Sequence, residues 1–134
     1  MLKNFIKYIV KTGIEESIKK NELNFGEEYE INLNVETPKK HDLGDFAINI
    51  SKLSKYARKS PVEIANVIKN NINIEDADVN IVGGFINFKL GKSYLKNILN
   101  EIYKEKECYI KNNQGNGKSV LLEYVSANPT GPFH

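Results

Sequence analysis

One cysteine, Cys108, stands in 134 residues. A lone thiol excludes an internal disulfide framework and fits a reducing compartment. Histidine is nearly as scarce. His41, His134 and Cys108 share no ligand spacing, and the carboxylates form no clustered pattern, so no metal site is expected. No serine or cysteine triad can be assembled around two histidines, which leaves nucleophilic catalysis unsupported. Long apolar runs are missing too: the opening "MLKNFIKYIV" is interrupted by lysines and too short for a signal core or a membrane span. Charge imbalance is slight, since a formal net charge of +2 is too small to imply a nucleic-acid partner by itself. The expectation is a cytoplasmic protein without a membrane partner. What is present suffices for a core: 40% hydrophobic residues, with seven Tyr and six Phe, argue against wholesale disorder.

Apolar spacing outlines the elements. Leu2, Phe5, Ile6, Ile9, Val10 and Ile14 follow a helical period. In "EYEINLNVET", Ile31, Leu33 and Val35 alternate with polar residues, which predicts a half-buried strand ended by Pro38. Phe46, Ile50, Leu53 and Ala57 step by four, three and four, which predicts a second helix. Ser60-Pro61-Val62-Glu63 is a capping box that opens a third helix carrying Ile64, Val67, Ile68 and Ile72. "ADVNIVGGFINFKL" reads as a hairpin, with Gly83 and Gly84 supplying the positive φ angles of a tight turn. Leu95, Ile98, Leu99 and Ile102 make a fourth helix, and the polar "KNNQGNGK" is the best linker. The final run "SVLLEYV" reads as a strand buried on both faces. The predicted class is α+β: an antiparallel sheet packed with helices over residues 1–110, a linker at 111–118, and at 119–134 the opening of another domain.

Three stretches invite a chemical reading. "GNGKS" at Gly115–Ser119 suggests a phosphate loop, but the required earlier glycine is Asn112 and the segment precedes a strand, so a linker is the better account. "PKKH" and "KYARKS" set Lys39, Lys40, His41, Lys55, Arg58 and Lys59 around one helix. That surface is either a solvated face, as in a protein–protein module, or a phosphate-contacting one. In "GGFINF", Phe85 and Asn87 share one strand face, and Ile86 and Phe88 take the other. A ring beside an amide can stack on an unpaired base and read its edge; the same pair also suits a core aromatic next to a hairpin polar residue.

The chain's last segment, "LLEYVSANPTGPFH", resembles the stretch of class I arginyl-tRNA synthetases in which a Rossmann-type strand runs into the H-x-G-H signature. Its loop is Ser126, Ala127, Asn128, Pro129, Thr130, Gly131, Pro132 and Phe133, and His134 matches the first histidine of that signature. Upstream, "VETPKKHDLGDFAINISKLSKYARKSPVEIANVI" resembles the family's N-terminal segment, with its core at Gly44, Asp45, Phe46 and Ala47. "GGFINF" resembles the Gly-Phe-Ile-Asn motif, although this chain has Val82-Gly83-Gly84 where the family often has Gly-Pro-Gly.

This resemblance implies a tRNA-recognition domain for the outer corner of tRNA, where the D-loop protrudes. Phe85 and Asn87 match the positions used on an unpaired D-loop base, with Lys39, Lys40 and Arg58 as candidate phosphate contacts. The implied full-length enzyme is a monomer that joins L-arginine and ATP, taken up with magnesium, into an adenylate and charges arginine tRNA. There Ser126, Ala127 and Asn128 match positions around the arginine's α-amino and carboxylate groups. His134 matches a residue near the phosphates, where donors stabilise the charge that builds in the transition state. The fragment itself, ending inside the signature, is expected to bind no cofactor and to activate no arginine.

Overall fold

A computed structural model describes residues 2–105 together with Gly117, Ser119 and Leu121. The linker and the signature-motif strand expected after residue 110 fall almost wholly outside those residues, and so does Cys108. Compactness divides the chain after Ile98, and the sheet lies in the unit Met1–Ile98.

That unit is an α+β layer. Helix α1 (Leu2–Lys19) leads through an irregular segment to β1 (Val35–Glu36), then β2 (Phe46–Asn49). A 3-10 turn at Ser51–Leu53 runs into the one-turn helix α2 (Ser54–Ala57), followed by α3 (Pro61–Asn70). The hairpin β3 (Ala77–Val82) and β4 (Phe85–Leu90) comes next, and α4 (Lys92–Glu105) begins two residues later. All strand pairs are antiparallel, in the order β1-β2-β4-β3. Strand alternation sends Phe46, Ile48, Ile86 and Phe88 toward α1 and α3, where they join Ile6, Val10, Ile14, Ile64 and Ile68 in the core.

The capping box forms as its residues dictate. Ser60 is extended at φ −65°, ψ 150°; its Oγ accepts from Glu63 N–H at 3.3 Å, and its own N–H donates to Glu63 Oε2 at 2.9 Å. The Ser60 N–H chiefly, then its hydroxyl, which donates to the same Oε2 at 2.8 Å, hold the Glu63 carboxyl below its usual value. The hairpin also forms, but only Gly83 adopts a positive φ, +58°. Gly84 serves a different need: its carbonyl accepts from Ile50 N–H at 2.9 Å, and a Cβ there would overlap the Ser51 side chain.

Two readings from periodicity are corrected. Phe46, Ile50, Leu53 and Ala57 do not line one helix; Phe46 begins β2, and helical structure runs only from Ser51 to Ala57. Over four residues, Phe-Ala-Ile-Asn fits an alternating pattern as well as a helical one, and pairing with β4 decides it. The expected strand around Ile31, Leu33 and Val35 shrinks to Val35–Glu36. Leu33 is buried all the same, so its alternation reports burial without a partner strand.

Gly44 explains why β2 starts where it does. Its φ of 115° and ψ of −172° lie in a region essentially closed to other residues, and a Cβ would stand 2.6 Å from the Phe88 carbonyl oxygen. Gly44→Ala should therefore destabilise the fold by about 1–3 kcal/mol in urea unfolding. At the other end of the hairpin, Asp76 caps α4 from a distance: its Oδ2 accepts from Ser93 N–H at 3.0 Å and from the Ser93 hydroxyl. The hydroxyl bond chiefly, then the backbone one, lowers the Asp76 pKa. A carboxyl depressed on folding contributes stability above its unfolded value and loses it as pH falls through the folded one. Asp76→Asn should accordingly flatten the acid limb of stability against pH, read from unfolding curves between roughly pH 2 and 6.

Candidate nucleic-acid interface

Helices α1 and α3 pack on one face of the sheet within the unit Met1–Ile98. The opposite face carries, by alternation and register, Glu36, Ala47 and Asn49, then Phe85, Asn87 and Lys89, and on β3 Asp78, Asn80 and Val82. One row across it reads Glu36, Ala47, Asn87, Asn80; the next reads Asn49, Phe85, Val82. Because Ala47 is small, a depression is left beside Asn87 between two larger neighbours.

The segment between β1 and β2 walls that depression. Thr37, Pro38, Lys39 and Leu43 join Glu36, Ala47, Val82, Phe85 and Asn87 around a cavity of about 240 Å³. This is below the roughly 300–1,000 Å³ typical of drug-sized ligands, and it leaves room for one small group. Its chemistry is uneven: mostly apolar walls, a half-buried ring at Phe85, an amide at Asn87 and a carboxylate at Glu36.

Asn87 is the informative residue. It is 3% exposed, although it lies on the face opposite α1 and α3. A buried asparagine is normally hydrogen-bonded through its amide. Among the described residues the Asn87 amide has no such partner, while Ser54 Oγ is the only fully enclosed side-chain polar atom without one. The Asn87 side chain is thus one of the few polar groups on an otherwise apolar cavity wall.

The remaining basic residues are distributed differently from expectation. Lys39 lines the cavity and Lys40 follows it, leading into a 3-10 turn at His41–Leu43. They do not lie around one helix with Arg58. That residue ends α2 in the left-handed region, φ 52°, and lines a separate cavity of about 490 Å³ with Asn24, Phe25, Gly26, Lys55, Tyr56 and Ala57. The helix that would have joined the two groups is replaced by β2. None of Lys39, Lys40 and Arg58 takes part in an ion pair among the described residues. Ser126, Ala127, Asn128 and His134 lie outside the described residues.

The sequence pattern missed Glu36, Thr37, Pro38, Leu43 and Val82 as cavity residues. Their convergence depends on the pairing of strands separated by some forty positions, which no local period carries. Ala47 alone had a signal, its place beside Gly44 and Asp45.

Comparison with known proteins adds an independent finding. The family model described as "Arginyl tRNA synthetase N terminal domain" matches residues 8–90. The arginine–tRNA ligase of Ruminiclostridium cellulolyticum is 41% identical over 134 residues, 96% of this chain and 23% of that protein. The arginine–tRNA ligase of Staphylococcus aureus (strain JH9) is 39% identical over 137 residues, 98% of this chain and 25% of that protein. Among solved structures, the arginyl-tRNA synthetase of Thermus thermophilus has a TM-score of 0.59 at 24% identity, over 73% of this chain and 15% of that one. That of Plasmodium falciparum has a TM-score of 0.62 at 20% identity, over 76% of this chain and 18% of that one. At such identities the structural likeness shows the fold alone. The chain spans about a quarter of the length of the curated relatives it matches.

Proposed function

The chain belongs to the arginyl-tRNA synthetase family through the N-terminal domain of those enzymes, and on that premise we propose that it recognises the D-loop region of arginine tRNA. One unpaired base enters the cavity, stacks on Phe85 and is held at its edge by the Asn87 amide. The observation that carries this reading is the buried Asn87 amide, unpartnered among the described residues and lining the same cavity as an aromatic ring. Stacking supplies sequence-tolerant affinity, and a desolvated amide adds discrimination, because a base that cannot match its donor and acceptor leaves them unpaired. Lys39, at the cavity wall, and Lys40 contact the phosphates on either side of that base. Arg58 serves the backbone from its separate cavity and reads no base.

In the complete enzyme this recognition serves the ATP-dependent attachment of L-arginine to tRNA through an arginyl-adenylate. Residues 1–110 form the recognition domain, 111–118 the linker, and 119–134 the opening of the catalytic domain. There Ser126, Ala127 and Asn128 hold the arginine, while His134 stabilises charge developing on the phosphates. The enzyme works as a cytoplasmic monomer.

Aminoacylation by the complete ligase tests the base site. Phe85→Ala and Asn87→Ala should each weaken use of tRNA by about 1–3 kcal/mol, roughly five- to 150-fold in kcat/KM, with the circular dichroism spectrum retained. Normal charging by both variants would sink the proposal. The phosphate contacts have a separate readout, the dependence of tRNA affinity on salt. Replacing Lys39 and Lys40 by alanine should reduce the slope of log K against log salt by about 0.7–0.9 per residue, whatever base occupies the cavity. An unchanged slope would show those lysines to be merely solvated.

A further inference from the structure

The segment that walls the cavity has little holding it. Among the described residues, Thr37–Leu43 makes no hydrogen bond to the sheet; its bonds are internal, Leu43 N–H to Lys40 O at 3.1 Å, then Gly44 N–H to His41 O at 3.3 Å. Its first end is set by β1, a strand of two residues. Its second end is fastened at Asp45. There the backbone N–H donates to the Phe88 carbonyl at 2.8 Å, and the side-chain Oδ2 accepts from Leu90 N–H at 2.8 Å.

That second bond is unusual in kind. Gly44, in its glycine-only conformation, brings the main chain close against the Phe88–Lys89 backbone just before β2 begins, but its carbonyl makes no bond to Leu90 N–H. A carboxylate then takes the place that a ladder carbonyl would have filled. Charge-assisted bonds of this type are stronger than the neutral ones they replace. The side chain is exposed and lines no part of the cavity, so it has no contact of its own to offer a base.

The geometry points to Asp45 as a positioning residue for the base cavity. By clamping Leu90 and Phe88 of β4, it fixes the end of the segment that carries Pro38, Lys39 and Leu43. It thereby keeps those walls closed over Asn87, which lies on the same strand between Phe85 and Phe88. This role rests on the base-binding reading above, and it assigns part of the site's affinity to a residue that touches no ligand. Without the clamp the segment samples open positions, and the tRNA must first select the closed one.

Steady-state aminoacylation by the complete ligase separates the possibilities, with thermal melting of each variant alongside. Asp45→Ala should raise KM for tRNA roughly three- to tenfold, the scale of one charge-assisted hydrogen bond partly exposed to water, and change kcat by less than about twofold. Asp45→Asn retains an acceptor and should return KM to within about twofold of the parent. On an Asn87→Ala background, Asp45→Ala should add less than about twofold, because both changes act through one contact. Should the alanine variant not fold, Asp45→Ser, too short to reach Leu90, carries the same expectation. The positioning role is overturned if Asp45→Ala leaves KM unchanged while Phe85→Ala and Asn87→Ala raise it. It is equally overturned if its effect is fully additive with Asn87→Ala, or if Asp45→Asn fails to restore KM at a parental melting temperature. If Phe85→Ala and Asn87→Ala also leave KM unchanged, the base-binding reading falls and the positioning role falls with it.

Discussion

Pairing of β2 with β4 is the constraint on which both faces of the sheet depend. In the observed register Phe46 stands opposite Phe88 and Ala47 opposite Asn87. A slip of one residue would send Phe46 and Ile48 to solvent and carry Ala47 and Asn49 into the core. It would also place a bulky side chain beside Asn87 and fill the cavity. Core and cavity are thus two readouts of one alignment. The cost of exposing Phe46 and Ile48, each worth about 1.5–3 kcal/mol when fully buried, guards the site as well as the fold.

The Asn87 amide, unpartnered among the described residues, makes a second physical point. Leaving a buried amide without partners costs about 1–3 kcal/mol. Asn87, with no such partner among the described residues, lines the cavity, whereas Ser54 Oγ is fully enclosed. On the proposed base-binding function, a matched group would recover that energy on binding and a mismatched one would not. On that proposal the amide is the source of selectivity, and the apolar walls limit how far water reaches it.

Much of this was legible in the residues themselves. Ser60-Pro61-Val62-Glu63 announced α3, the paired glycines announced the hairpin, and the spacing of Phe85 and Asn87 put them on one face. Resemblance to a known family then singled out Phe85 and Asn87 as the proposed base-holding pair, which periodicity left open between two readings. The failures have a common cause. Phe46–Asn49 is a short apolar run whose spacing fits two periods, and only its partner strand decides between them. The same blindness hid Leu43 and Val82 from the site, because a cavity built across a sheet has no signature along the chain. It also grouped Arg58 with Lys39, which line different cavities.

The cap that Asp76 provides for α4 has a consequence for how the domain opens. The first turn of a helix normally draws its cap from the residue just before it. Here the donors of Ser93 are satisfied from the start of β3, across the whole length of the hairpin, and Tyr94 Oη donates to the Glu75 carbonyl at 2.8 Å. The beginning of α4 and the open end of the hairpin are therefore one cooperative unit, and neither frays without the other. In hydrogen exchange the Ser93 amide belongs to the opening of β3, although by sequence it sits in the helix.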